Sequence, residues 1–266
     1  MRMISRPSIM LISLLTSSIS FGELEGNRQV TKISRSEYMQ QLQGFWLGQN
    51  IANWTGLITE MDKVGTPQTL PFYTDEDWGK PDLKAIWGEF VPHSSTIDFY
   101  FELSGTPWGA DDDTDIEYMY AHLHDQLKTS KLSANQIRDG WLHHIYSEED
   151  APLFQNFPTS NPIVENFLWV SNEQARKLMQ AGMSPPETSE PANNSNYMMI
   201  DAQLTTEIFG LLAPARPDVA IDIAYLPVRT TAMGDAQWIS QFYIAMHSLA
   251  SVVDKSETLA NQTPGL

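Results

Sequence analysis

Apolar residues recur at helical spacing through most of the chain, and the starts of several of these runs are marked by capping signals. Ser34-Arg35-Ser36-Glu37 has the form of a capping box, and Tyr38, Leu42, Phe45, Trp46 and Ile51 follow at helical spacing. Ser133 to Gln136 repeats the signal ahead of Ile137, Trp141, Leu142 and Ile145. Ser171 to Gln174 repeats it again, for a helix expected to stop at Gly182 with Pro185 beyond. Pro217 suits the first turn of a helix over Asp218 to Leu226. Ala236, Ile239, Phe242, Tyr243, Met246, Leu249 and Val253 trace a long amphipathic stripe. Polar, proline-bearing stretches over 64–81, 150–163 and 183–196 read as loops. Thr96 to Leu103 suits a strand or a buried helix equally well. No strand series or internal repeat is evident, so the pattern predicts a mainly α protein.

Composition narrows the partners. The chain has 266 residues, 42% of them apolar, enough for one large domain or a domain and a half. A formal net charge of -17 argues against nucleic acid, whose phosphates call for a basic face, and disfavours an anionic membrane surface. It permits cation binding by carboxylates, although solubility alone accounts for much of it. With no Cys in the chain, disulfides, thiolate zinc sites and a Cys nucleophile are excluded.

Residues 1–22 read as a secretory signal peptide, which leaves 23–266 as the helical domain. Arg2 and Arg6 supply a positive start, Ile9 to Leu15 a short apolar stretch, and Ser18 to Gly22 small residues for cleavage. A secreted or periplasmic location follows, with no stable membrane insertion after cleavage.

Chemistry concentrates in Trp108-Gly-Ala-Asp111-Asp112-Asp113-Thr114-Asp115. Three successive Asp residues repel one another, and either water or a divalent cation relieves that repulsion. Ile116, Met119, Tyr120, Leu123 and Leu127 follow at helical spacing, so the acids head a helix, where the macrodipole favours negative charge. An acidic, solvated helix start and a cation site are both consistent with this. An EF-hand is not: its sixth position would be Ile116 and its twelfth His122. His122 and His124 do not share a helix face, and His143 and His144 are adjacent, so no zinc pattern forms.

Together, two segments resemble the ADP-ribosylglycohydrolase family, which includes the dinitrogenase-reductase-activating glycohydrolases. Gly44, Gly48, Gly56 and Glu60 fall in register with that family's glycine-spaced helix, and Asp111-Asp112-Asp113-Thr114 with its TDDT segment. Ile200 to Asp218 is similar to its middle helix and the following turn, and Leu226 to Trp238 to the next segment. The resemblance spans roughly 38–255 and implies an all-α fold of that type. It implies Asp111, Asp112 and Asp113 as Mg2+ ligands in a two-ion site, Glu60 and Asp112 in catalysis, and substrate contacts from Asn53, Thr230 and Thr231. The implied activity is Mg2+-dependent hydrolysis of an N- or O-glycosidic bond to ADP-ribose or a related ribosyl group. Asn53 stands where the family usually has Asp. The family's second acidic motif is not found before Leu266, which would leave the domain incomplete at its C-terminus and the two-ion site short of ligands.

Two other functions fit the residues. One is an all-α glycoside hydrolase with Glu60 and Asp113 as paired carboxylates; the other is a non-catalytic binding protein. Among the remaining residues, Tyr73 to Trp78 reads as a solvated acidic turn or a substrate loop, Trp141 as core, and Arg229 as a phosphate contact or an ordinary surface residue. His247 reads as structural.

Overall fold

Eight α-helices make up the described structure, and several of them begin or end for a local chemical reason. The computed structural model describes residues 32–57, 75–81, 96–98, 104–105, 111–145, 168 and 170–252. The signal-peptide reading of 1–22, the expected catalytic Glu60, the loop over 150–163 and most of the loop over 64–81 fall outside these residues, whereas 183–196 is described throughout. The helices are α1 (Arg35–Leu57), α2 (Asp112–Leu127), α3 (Ala134–His144), α4 (Val170–Gln180), α5 (Asp201–Thr205), α6 (Ile208–Leu212), α7 (Pro217–Val228) and α8 (Asp235–Ala250). A 3₁₀ turn covers Glu187–Ser189. Extended pairing among the described residues is limited to one isolated antiparallel bridge, Pro81 with Thr96, so the all-helical expectation holds there. No described helix is long and apolar enough to cross a membrane.

Several capping signals act as their chemistry predicts. Ser133 accepts from the Gln136 amide while the Gln136 side chain accepts from the Ser133 amide, closing the box at the head of α3. Ser34 Oγ accepts from the Glu37 amide at 3.5 Å, and α1 starts at the next residue after Ser34. Pro217 opens α7. Helix α4 ends at Gln180, and Gly182, at φ 95°, folds its amide back to Met179 O while Met183 reaches Leu178 O.

The Ser171 signal works differently. Helix α4 begins one residue earlier, at Val170, and Ser171 is buried within its first turn, where its hydroxyl has no hydrogen-bond partner. Asp201, from α5, takes over part of the capping by accepting from the Asn172 amide at 3.2 Å. The sequence around 200–212 also forms two short helices rather than one, with the break at Thr206 and Glu207.

Helix α8 packs on α5, α6 and α7, through a face that its large apolar residues do not mark. Its buried residues are Ser240, Ile244, Ala245 and Ser248, whereas Trp238, Ile239 and Phe242 are exposed. The cause is a close helix approach at Gly210 of α6. A Cβ there would lie 2.5 Å from Ile244 O and 2.9 Å from Ser248 N. Backbones this near admit only small side chains between them, so the bulky stripe turns outward.

The core lies between α2, α3 and the α5–α8 group. Trp141, Tyr120, Phe209 and Ile137 are each buried, and Trp141 Nε1 donates to the Tyr120 hydroxyl at 3.0 Å. Pairing the polar end of each aromatic avoids the penalty for burying an unsatisfied donor. Helix α1 joins this core through a few side chains. Tyr38 donates to Leu211 O, Gln41 to Ser251 O, and Gln49 to the Glu117 carboxylate, while Phe45 meets His247 edge to face.

Candidate functional site

Helix α2 carries acids on two opposed faces, and the two faces have different surroundings. At about 100° per residue, Asp113 and Asp115 project roughly 200° apart. Asp111 is the N-cap, with its Oδ1 accepting from the Thr114 amide at 2.9 Å.

The inner face runs Asp113, Glu117, Tyr120 and His124, at helical spacing. Glu117 is wholly buried: Oε1 accepts from the Ile208 amide at 2.7 Å and Oε2 from Gln49. It thus ties α1, α2 and the first turn of α6 together. Burial pushes its carboxyl up to about 8, against the lowering effect of these donors. Asp113 is half-buried, and its pKa rises to about 9, first through desolvation and then through the charges of Asp112, Asp111, Asp201 and Glu117. Desolvation also raises Glu207 to about 7. His124 Nδ1 is hydrogen bonded to Thr129 O, and the ring packs on Phe209.

The outer face lines an open cleft of about 460 Å³ between α2 and the C-terminal end of α3. Asp115, Tyr118 and His122 come from α2 and His144 from α3, over an apolar floor of Ile116, Met119 and Ile145. Asp115, Met119 and His122 share this face because they stand four and three residues apart. The rings of His122 and His144 meet edge to face, centroids 5.2 Å apart, and His143 meets His144 at 4.7 Å. Partial burial lowers the pKa of His144, followed by the charges of His143 and His122. Partial desolvation raises that of Asp115, an exposed residue, with Asp111 adding to it. Trp46 of α1 approaches Tyr118 edge to face at 6.1 Å and forms an aromatic edge beside the cleft.

The expected magnesium site is corrected by this arrangement. Among the described residues, no three Asp, Glu or His side chains are placed to hold one metal ion. The physical reason lies in α2 itself: Asp111 is turned back as a cap, and successive helical side chains diverge. Mg2+ as cofactor, Asp111, Asp112 and Asp113 as its ligands, and Mg2+-dependent glycosidic hydrolysis therefore do not follow from this structure. The proposed catalytic Asp112 is half-buried in the first turn of α2, and its companion Glu60 lies outside the described residues.

The remaining expected contacts are placed apart. Asn53 is half-buried near the end of α1. Thr230 is buried after α7 and donates to Leu226 O. Thr231 is buried beside it with its hydroxyl unpartnered. Arg229, considered for phosphate, is buried and committed to Ser189 Oγ and Glu190. His247 is structural, packed on Phe45 and 3.7 Å from Glu207. The Asp75–Gly79 segment is an exposed turn, apart from half-buried Asp77.

The cleft residues escaped the sequence reading because His122 and His144 come from different helices. The available signal was the spacing Asp115–Met119–His122, one face of α2 combining a carboxyl and an imidazole around an apolar residue. Comparison with protein-family models, curated proteins and solved structures finds no match to this chain.

Proposed function

We propose that this chain is a small-molecule-binding protein whose ligand site is the cleft between α2 and α3 and whose binding needs no metal. The cleft itself carries the reading. Its volume of about 460 Å³ lies within the range of small-ligand sites, and a few polar groups converge over an apolar floor. Asp115, His122 and His144 supply hydrogen-bonding chemistry of both signs, and Ile116, Met119 and Ile145 supply the apolar contact. The test is a fragment panel followed by NMR on the His122 and His144 ring resonances. Fragments that bind there shift both rings together with the Met119 methyl. A panel whose binders all perturb other regions would remove the cleft from consideration.

For the architecture, we propose an arrangement similar to the ADP-ribosylglycohydrolase fold, without that family's metal-dependent reaction. Its support is the start of α2 at the acidic triplet, where the resemblance places a helix start. Superposing an experimental structure of this chain on a member of that family tests it, and a different helix order in space overturns it.

A further inference from the structure

Resting on the cleft as the ligand site, we infer that its ligand is a small organic cation: an amine or quaternary ammonium group joined to an apolar or aromatic body. Three observations converge on this class. The first is charge. Asp115 is the acidic group among the described residues that line the cleft, and none of those residues is a Lys or Arg. Asp115 is also exposed to Asp111, which adds to the negative potential on that side of α2. An exposed carboxyl beside another acid gains from a positive partner brought to it.

The second observation is the rim. Tyr118 is 66% exposed despite lining the cleft, and Trp46 stands against it edge to face. Aromatic faces attract organic cations through the ring quadrupole, and an exposed Tyr beside a carboxyl is a common receptor for such a group. The third is the wall formed by His144 of α3. Burial and its two neighbouring imidazoles hold its pKa below the ordinary value, so it is neutral just above neutral pH and presents no repelling charge. The floor of Ile116, Met119 and Ile145 then receives the ligand's apolar body, with each of these residues almost fully buried against the core. An anionic ligand would meet Asp115 unpaired, and a purely polar one would leave the apolar floor in contact with water.

Four probes of one shape separate the possibilities: benzylamine, benzyltrimethylammonium, benzyl alcohol and benzoate. They are titrated into the full chain slightly above neutral pH, with affinity read by calorimetry and location by the His122 and His144 resonances. The expected result is that both cations shift these rings and bind at least roughly tenfold more tightly than benzyl alcohol, about 1.4 kcal/mol, while benzoate does not bind. Asp115→Asn keeps the shape of the cleft and should abolish the advantage of the cations. Tyr118→Leu should weaken benzyltrimethylammonium more than benzylamine, because the quaternary group has no N–H for Asp115 and relies more on the ring. Equal binding of benzyl alcohol or benzoate at these rings overturns the cation assignment and leaves the cleft standing. If no probe shifts either ring, the cleft reading itself fails and this inference with it. Should Asp115→Asn lose its native thermal transition, Asp115→Glu serves instead: retention of the cation preference supports the assignment, and its loss with an intact fold contradicts it.

Discussion

The inner and outer faces of α2 place similar side chains in opposite situations. Asp113 and Glu117 point into the packed side, where Glu117 is spent on the Gln49 side chain and the Ile208 amide. Asp115 and His122 point into a cleft with room for a ligand. Residue type is therefore a poor guide to role on this helix. Enclosure decides: acids on the inner face take up protons and become part of the framework, and those on the outer face remain available to a partner.

The largest expected effect sharpens the structural half of that contrast. Trp141→Ala removes a buried indole and the donor to Tyr120, the inner-face phenol, and should cost about 3–5 kcal/mol in urea unfolding. A loss under about 1 kcal/mol would show that the inner side is loosely packed.

The next effect is a pH dependence. Asp113, Glu117 and Glu207 titrate in the folded protein at about 9, 8 and 7, above the value of roughly 4 expected when unfolded. The native state thus holds more protons between about 4 and 9, and unfolding free energy falls as pH rises through that window. The stability from these groups is complete below about 4 and is lost as pH climbs through each folded value. His247 and His144 act in the other direction: both are shifted down, so their contribution is present above the ordinary imidazole pKa and declines as pH falls through the folded values. Stability should therefore peak in mild acid. Denaturation midpoints across pH check this, and Glu117→Gln should flatten the alkaline decline. Stability that rises from mild acid to mild alkali would contradict the inner-face account.

A smaller effect belongs to the junction of the two faces. Asp111→Ala deletes the cap on the Thr114 amide and should cost about 1 kcal/mol, read by thermal or urea unfolding. No change would mean that another group caps α2.

The smallest effect is an expected absence. Adding Mg2+ or a chelator should leave the thermal midpoint of the protein unchanged, because the described acids do not converge on one ion. A midpoint raised by Mg2+ and reversed by chelation would restore the metal reading.

Legibility in the sequence followed the range of the interactions. Local devices were readable: the Ser133–Gln136 box, Pro217 at a helix start, Gly182 past a helix end, and the start of α2 at the acidic triplet. Each depends on side chains within a few residues of the backbone they satisfy. Choices made by distant neighbours were not readable. Ser171 does not cap α4, whose first turn receives Asp201 from another helix. The stripe containing Ile239 and Phe242 faces outward because Gly210 brings α6 onto the small-residue face of α8. The metal expectation failed for a related reason: adjacency of Asp111, Asp112 and Asp113 along the chain does not bring their oxygens together once a helix separates them by angle. The cleft was invisible because a histidine of α2 meets one of α3 only in three dimensions.

The most direct measurement is a benzylamine titration of protein carrying ¹³C-labelled Asp and Glu carboxyls, read with the histidine rings. The account predicts that Asp115, His122 and His144 shift together while Asp113 and Glu117 stay fixed and titrate at alkaline pH. A ligand-induced shift centred on Asp113 or Glu117, with Asp115 unmoved, would contradict the division of α2 into a sealed face and an open one.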